Sequence, residues 1–343
     1  MPLAALMLAS CTGSGSPAAN AAPADIYAAI PSVADVRALM GDKNWWARPP
    51  SFEVRPLDAE TTPLNERYSV SQAYIHVGTA EELLARYTVY DRTSSAITAM
   101  TNFKNALGTA PSSPKVGDGV LYYGLGGTGG APFVTRTFVR VGQIVVQIVW
   151  TRKDSIPAVD QLGRNATKFV NGIAKLGKVH VTTHQVDPKL LPPPGLDITM
   201  LGATQLPIES WVVMIHSGLP EAVLALLSQQ SITKFVYGDY ALNDDTHMEV
   251  QTAMLTFQSN FNAIDFATTF APGPPDQSGI ASAYIPGGGS PAAGQYDYLF
   301  VSGSFVGMLS CSPSISGEAA SRECEVPVER TAIAWKLALG GLS

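Results

Sequence analysis

Two stretches of the sequence have residue types and spacings that could serve chemistry. The first is a glycine-rich loop from Gly124 to Gly129, GLGGTG, which matches the G-x-G-x-x-G spacing of dinucleotide sites. Such a site needs a helix after the third glycine, because the N-terminus of that helix binds the pyrophosphate. Here Ala131 and Pro132 are followed by a strand-like run rich in threonine and valine. We therefore predict a hairpin loop and no cofactor.

The second stretch contains His180 and His184, whose spacing suits a metal site only on a helix. Their neighbours are β-branched and favour an extended chain, in which the two side chains would lie ~13 Å apart. Asp187 is close enough in sequence to keep a metal site open as an alternative, but we predict an exposed linker and no metal. The sequence has no G-x-S-x-G nucleophile elbow, and we predict no catalytic residues.

Four side chains on two predicted strands are the candidates for ligand binding. Arg136 and Arg140 share one face of the first strand, and Tyr296 and Tyr298 share the face of a later strand that we interpret as equivalent. Arginine and aromatic side chains on an open sheet face can form a binding surface. The favoured alternative is that a helix covers this face and the arginines extend past its edge.

Cys11 marks a predicted membrane anchor. Residues 1–10 form a short apolar run that ends in small residues, and the stretch from Leu8 to Cys11, LASC, resembles the bacterial lipobox. This motif implies cleavage before Cys11 and acylation of the new N-terminal cysteine, with palmitate or a related chain. Two or three acyl chains hold a protein on a membrane, at ~0.8 kcal/mol per buried CH₂. We expect the protein at the cell membrane, on its extracytoplasmic face.

Cys311 and Cys324 are predicted to form a disulfide. They are the other two cysteines of the chain, and they flank a Ser/Gly/Glu-rich segment that resembles a surface loop. Free thiols and half of a metal site are the alternatives, but no further ligands occur at a zinc-like spacing. A disulfide closing so short a loop contributes up to ~3 kcal/mol and is typical of exported proteins.

The composition indicates a large core. Of 343 residues, 46% are hydrophobic and 15% are charged, and the formal net charge is −6. This length suggests about two domains. Because no basic stripe is present, we predict no nucleic-acid partner.

The order of predicted elements is helix, strands, helix, strands, helix, and it occurs twice. In the first half, residues 116–150 read as strand, loop, strand, turn, strand, and the last strand alternates so that Ile144, Val146, Ile148 and Trp150 form a dry face. This order predicts an α+β fold of two tandem domains, each an antiparallel sheet packed with helices. The predicted helices include 32–40, 156–176, 220–229, 260–270 and 328–339.

The second half is interpreted as a degenerate repeat of the first, because the two align without a gap over the region of the hairpins. Tyr123 and Gly142 have counterparts 161 positions later, Tyr284 and Gly303. The predicted segments are a signal-peptide remnant (1–10), a lipidated flexible tether (11–29), a first α+β domain (30–186), a proline-rich linker (187–204) and a second α+β domain (205–343).

A family resemblance rests on the helix SVADVRALMG and on the strand-turn-strand FVRVGQIVVQIV that precedes a C-terminal helix. These segments resemble the extracellular sensor domain of PknH-type mycobacterial kinases and related actinobacterial lipoproteins. The resemblance covers most of residues 30–177 and, more faintly, 205–340. It implies an α+β sandwich with an antiparallel sheet and a groove expected to bind a ligand. The Mog1/PsbP-like fold has a similar element order and is the alternative.

The sequence thus predicts a membrane-anchored extracytoplasmic lipoprotein without enzymatic activity, which binds a small molecule, a lipid or an envelope component. One alternative is an accessory or structural subunit of a cell-envelope complex, with a protein partner. The other is a hydrolase, which a cluster of His180, His184 and an acid would favour. A deep apolar pocket with convergent polar groups would favour the first function, and a flat apolar patch the second.

Overall fold

The computed structural model describes residues 21–54, 65–79, 81–108, 110–126, 131–176, 186–214, 220–243, 248–285, 295–313 and 324–342. Within these ranges, two antiparallel sheets are packed with helices, which confirms the α+β class with two sheet-bearing units. No helix in the ranges is long and apolar enough to cross a membrane.

The first half forms a seven-stranded antiparallel sheet. Its strands lie in the order β1-β3-β4-β7-β6-β5, and β2 pairs with β3. In chain order the elements are α1 (Pro23–Ala29), α2 (Val33–Met40), β1 (Trp45–Ala47), β2 (Ser51–Val54), β3 (Glu66–His76), β4 (Glu81–Tyr90), α3 (Thr93–Leu107), β5 (Gly119–Leu125), β6 (Phe133–Val141), β7 (Ile144–Arg152) and α4 (Val159–Val170).

The second half forms a six-stranded antiparallel sheet in the order β11-β12-β13-β10-β9-β8. Helices α6 and α7 have the bounds that the sequence predicts for them. In chain order the elements are β8 (Ile198–Leu206), α5 (Ile208–Met214), α6 (Pro220–Gln229), β9 (Ile232–Leu242), β10 (Met248–Phe257), α7 (Asn260–Phe270), β11 (Ile280–Ile285), β12 (Gln295–Ser302), β13 (Phe305–Pro313) and α8 (Glu325–Gly340).

The two sheets share one topology. Counted from β3 in the first sheet and from β9 in the second, neighbouring strands follow the order first, second, fifth, fourth, third. In each half the last two strands are joined by a tight turn with a left-handed glycine, Gly142 at φ 59° and Gly303 at φ 57°. Side chains other than glycine rarely adopt this conformation, so both turns require glycine. Duplication of one unit to give the other stays a prediction.

Strand β7 lies between two helices, one on each face of the first sheet. On the α3 side, Val145 is buried and Phe103 stacks on Phe138 with ring centroids 4.2 Å apart. On the other side, Phe169 of α4 belongs to the core that contains the predicted dry face. That prediction is confirmed, since all four of its side chains are buried: Ile144, Val146, Ile148 and Trp150.

Helix α8 covers one face of the second sheet. Trp335 is fully buried and packs edge-on against Phe300, with centroids 5.5 Å apart. The predicted disulfide is confirmed, because Cys311 in β13 is bonded to Cys324, the residue before α8. The bond therefore ties this covering helix to the strand beneath it.

The junction of the two sheets is buried and hydrogen-bonded. Helix α1 contacts both β3 and β8. The Phe52 amide donates to Glu249 at 3.0 Å, and the Tyr237 hydroxyl donates to the Pro50 carbonyl at 2.8 Å. Side chains from both halves belong to one apolar cluster.

Several elements lie where the sequence predicts a tether or a linker. Residues 23–29, assigned to the flexible tether, form α1, because Pro23 suits a first helical position and Ile26 is fully buried at the junction. Part of the proline-rich linker forms β8, which pairs with β9. These segments are too short to show a period of their own, and tertiary contacts stabilise them. The division into domains at 30–186 and 205–343 stays a prediction.

Candidate functional site

A cavity of about 480 Å³ lies on the face of the second sheet that is turned away from α8. Strands β10, β12 and β13 form its floor, and α5 and the end of α7 form its opposite wall. Its lining divides into an apolar set and a polar set. The apolar set includes Trp211, Met214, Phe270, Ile285 and Met308, and the polar set includes Gln251, Gln295, Asp297 and Ser310.

Strand register brings the polar side chains together. Ser310 of β13 lies opposite Gln251 of β10 on one side and opposite Asp297 of β12 on the other. Gln251 in turn lies opposite Asp239 of β9. Because directly opposed residues point to the same face of a sheet, these four residues form one polar row across adjacent strands. The outer part of the row forms the polar wall of the cavity, next to the apolar residues Ala253, Leu299 and Met308 of the same face.

Asp297 is the charged residue of this wall. Gln295 Nε2 lies 3.0 Å from each of its carboxylate oxygens, and the Ser310 hydroxyl is also hydrogen-bonded to it. Burial raises the pKa of Asp297, and these two hydrogen bonds offset only part of that increase. Among the described residues that line the cavity, none is basic. Asp297 therefore has hydrogen-bond donors of the protein beside it but no compensating positive charge.

The apolar wall is built from aromatic rings on two helices. The Trp211 ring of α5 meets Phe270 of α7 edge-on, with centroids 5.1 Å apart, and packs against Phe266 one turn earlier. Helix α7 begins where the Ser259 hydroxyl accepts a hydrogen bond from the Asn262 amide. Within the described part of the chain, the buried Trp211 Nε1 has no hydrogen-bond partner. A buried donor without a partner is uncommon in proteins.

A pair of buried acids continues the polar row toward the junction. Asp239 is fully buried and Glu249 is nearly so, and the two carboxyl groups are close enough to affect each other's pKa. The Tyr27 hydroxyl of α1 donates to Asp239, and the Phe52 amide donates to Glu249. Burial raises the pKa of both acids, and the nearby Glu249 charge raises that of Asp239 further. The pair is therefore arranged to share a proton.

No family model and no curated protein matches the chain. Among solved structures, the extracellular domain of PknH from Mycobacterium tuberculosis matches over 43% of this chain and 94% of that one, with 15% identity and a TM-score of 0.34. The sequence resemblance indicates the same domain, and membership of its family stays a prediction. A likeness of this size carries no argument about ligand or activity.

The two arginines predicted to bind a ligand lie on the first sheet, away from the cavity. Arg140 Nη1 lies 3.2 Å from Asp118 Oδ2 and 3.2 Å from the Gly142 carbonyl, so it closes the turn after β6. Arg136 lies opposite Tyr123, and its buried Nε has no hydrogen-bond partner in the described residues. Phe138, on the same face, is covered by α3. Ligand binding by these arginines stays a prediction.

The two tyrosines lie on a different kind of face from the arginines, and the interpretation of the faces as equivalent is wrong. Tyr298 is buried under α8, and its hydroxyl donates to the Glu325 carbonyl at 3.1 Å, although it also borders the cavity. The Tyr296 ring is 5.0 Å from Tyr284. At an offset of 161, the counterpart of Arg136 is Asp297. Because strand residues alternate between faces, Asp297 points to the face opposite the one that carries the two tyrosines.

The remaining sequence candidates do not form a site in the described residues. His180 and His184 lie outside them, and no group of three or more His, Cys, Asp or Glu residues within them could hold a metal ion. His76 is 2.8 Å from Asp42. The glycine-rich loop joins the antiparallel strands β5 and β6, as the hairpin prediction requires, with residues 127–130 outside the description.

Sequence reasoning missed Asp297, Gln251, Ser310 and Trp211. One signal was available, since Asp297 is an acid between two tyrosines in the strand-like run QYDYLFVS. Polar residues within a buried strand require partners, and this applies to Asp297. Gln251 and Ser310 gave no comparable signal, because their meaning depends on which strands are neighbours.

Proposed function

We propose that this protein is a non-enzymatic extracytoplasmic binding module, and that the cavity of its second sheet holds a small molecule with an apolar body and a polar end. The observation that supports the proposal is the cavity itself, in which Gln251, Asp297 and Ser310 converge beside Trp211 and Phe270. Ligand pockets are typically concave and largely apolar, with few, well-placed polar groups.

The volume of the cavity favours a small molecule over a macromolecular segment. About 480 Å³ falls within the range that is usual for ligand pockets. The polar groups of the wall are a carboxyl, two amides and a hydroxyl, and no histidine is among the described lining residues. Such groups orient a ligand by hydrogen bonds, and this agrees with a binding role rather than a catalytic one.

The proposed location is the outer face of the cell membrane, with the chain anchored through lipid on Cys11. The Cys311–Cys324 disulfide supports an oxidising compartment. The lipobox-like stretch, which lies outside the described residues, supports the anchor.

Mass spectrometry of protein extracted from host membranes is expected to show a chain that begins at Cys11 and carries two or three acyl groups. Cys11→Ser is expected to release the protein into the soluble fraction, because the attachment point of the lipid is lost. A soluble wild-type product with a different N-terminus would contradict the anchor.

Filling the cavity is expected to remove its ligand. Met308→Trp places a larger side chain at the apolar wall, whereas Met200→Trp changes a methionine of β8 that is 52% exposed and does not line the cavity. Native mass spectrometry of full-length protein from its own host is expected to show a small-molecule adduct in the wild type and in Met200→Trp. In Met308→Trp we expect occupancy to fall at least about tenfold, equivalent to ~1.4 kcal/mol of binding energy. An unchanged adduct in Met308→Trp would place the ligand elsewhere.

The second candidate function, an accessory subunit of an envelope complex, is favoured by apolar side chains on the outer faces of two helices. Phe261 of α7 is 78% exposed and Leu337 of α8 is 73% exposed. On each helix a second exposed apolar residue lies one turn away, Ile264 on α7 and Ile333 on α8, and exposed apolar side chains in a group mark contact surfaces. The Met308→Trp variant separates the two candidates, because filling the cavity would leave a protein contact at these helices intact.

A further inference from the structure

We propose that the cavity of the second sheet selects a cationic amphiphile, an alkyl ammonium whose charged end binds Asp297 and whose apolar chain lies against Trp211, Met214 and Phe270. This inference rests on the proposed binding function and names the ligand class of the same site. Its evidence is the charge, the hydrogen-bond directions and the surroundings of Asp297.

The hydrogen bonds around Asp297 fit an ionised carboxylate that still has acceptor capacity. Gln295 Nε2 lies 3.0 Å from both carboxylate oxygens, and the Ser310 hydroxyl is a further hydrogen-bond partner. A carboxylate has about four lone-pair positions, so the amide and the hydroxyl leave room for another donor. An ammonium group carries only donors, and it supplies the positive charge that the protein does not provide.

The surroundings exclude an anionic ligand on charge grounds. None of the described lining residues is basic, and the polar row leads from Asp297 through Ser310 and Gln251 to a second acid, Asp239. A ligand carboxylate or phosphate would be placed beside Asp297 without a compensating cation, and burying an unpaired charge is costly. A buried ammonium beside the carboxylate avoids this cost for both partners.

The apolar wall suits the remainder of such a molecule. Trp211 and Phe270 line the same cavity, and their large apolar surface can remove an alkyl chain from water. Met214 and Met308 are unbranched, flexible and polarizable, so they can fit an alkyl chain of variable shape.

The groups that face Asp297 determine how binding depends on pH. Gln295 is on its own strand, Ser310 is on the neighbouring strand β13, and Ala283 lies opposite on the other neighbour, β11. Gln251 is one strand further away, on β10, and uncharged residues of α5 and α7 lie across the cavity. Burial raises the pKa of Asp297 above its ordinary value. Below that raised pKa the empty site retains a proton, which a bound cation displaces, and above it the carboxylate is ionised. Affinity for an ammonium ligand is therefore expected to rise by up to about tenfold per pH unit below the pKa of the empty site, and to level off above it.

The test is isothermal titration calorimetry of the full-length protein with three probes of equal chain length, octylamine, 1-octanol and octanoate. Above the pKa of Asp297, octylamine is expected to bind about tenfold more tightly than 1-octanol, because hydrogen bonds between charged groups are stronger than neutral ones. Asp297→Asn keeps the shape of the side chain and is expected to abolish both this preference and the pH dependence. Asp160→Asn removes an equal charge from the exposed surface of α4 and is expected to change neither.

The outcomes separate this inference from the proposed function. Equal affinity for octylamine and 1-octanol, or tighter binding of octanoate, would overturn the ligand class and leave the binding cavity in place. Failure of all three probes to bind, together with the absence of a native adduct, would overturn both. Should Asp297→Asn fail to fold, the pH profile of the wild type decides, because an affinity for octylamine that does not change with pH contradicts the role of Asp297.

Discussion

Replacing Cys311 and Cys324 together by alanine is expected to lower the free energy of unfolding by about 3 kcal/mol, because a bond closing so short a loop restricts the unfolded chain by about that amount. Both residues are fully buried in the core under α8. The change therefore also leaves small cavities, which add to the loss.

The same change is expected to weaken ligand binding, since the disulfide stabilises the strand that carries part of the polar wall. Side chains alternate along β13, so that Cys311 faces α8 while Ser310 faces the cavity. Ser310 is hydrogen-bonded to Asp297, and its position depends on how firmly this end of β13 is held.

Chemical denaturation with and without reductant measures the effect. Reduced wild type is expected to unfold at a midpoint between those of the oxidised wild type and the double-alanine variant, because it loses the bond but keeps both buried side chains. The midpoint of the variant is expected to be unchanged by reductant. Met200→Trp, on the surface of β8, serves as a control that responds to reductant as the wild type does. Equal stability of the oxidised and reduced wild type would show that the bond adds nothing to the fold.

Much of the architecture can be predicted from the sequence, because its main elements have a period that shows in the residue order. The alternation of Ile144, Val146, Ile148 and Trp150 predicts a strand with one buried face, and the structure confirms it. The cap at Ser32 and the stop at Gly41 likewise bound α2 correctly. In contrast, α1 and β8 owe their stability to the junction between the sheets, so no local pattern indicates them.

The cavity could not be predicted in the same way, since it depends on strand neighbours that are distant in sequence. Ser310, Gln251 and Asp297 meet only because β13 lies between β10 and β12. In this order, β13 is inserted between two strands that precede it in the sequence, β10 and β12. The periodicity of a single strand does not indicate which strands are its neighbours. The sequence interpretation therefore favoured the tyrosines of β12, which are conspicuous by type, over the aspartate between them.

The second large effect expected is a loss of stability as the pH rises above about 4, the ordinary pKa of a carboxyl group. Its source is the buried pair Asp239 and Glu249, which faces Tyr27 of α1, Tyr237 of β9, the Phe52 amide of β2 and Gln251 of β10. None of these groups is basic. Burial raises the pKa of both acids, so the folded chain holds protons that the unfolded chain has already released.

The sign follows from proton binding. Where the folded state binds more protons than the unfolded state, the free energy of unfolding falls as the pH rises. The contribution is present in full below the unfolded pKa values and is lost as the pH rises through the raised folded values. Acids with a lowered pKa, such as Asp35 and Asp276, act in the opposite direction but only below their ordinary value. Between weakly acidic and neutral pH, the buried pair and Asp297 therefore make the free energy of unfolding fall as the pH rises.

Denaturation of the wild type is expected to show a free energy of unfolding that falls between pH 5 and pH 7, by up to ~1.4 kcal/mol per pH unit for each proton that the folded pair retains. The double variant Asp239→Asn with Glu249→Gln keeps the shapes of both side chains without their ionisation. Its free energy of unfolding should therefore change little over that interval, apart from the contribution of Asp297. Asp160→Asn on the surface of α4 should show the same dependence of the free energy of unfolding on pH as the wild type. A wild type whose stability is constant or rises over this interval would show that the pair is ionised in the fold, and that the Tyr27 hydroxyl and the Phe52 amide outweigh the cost of its burial.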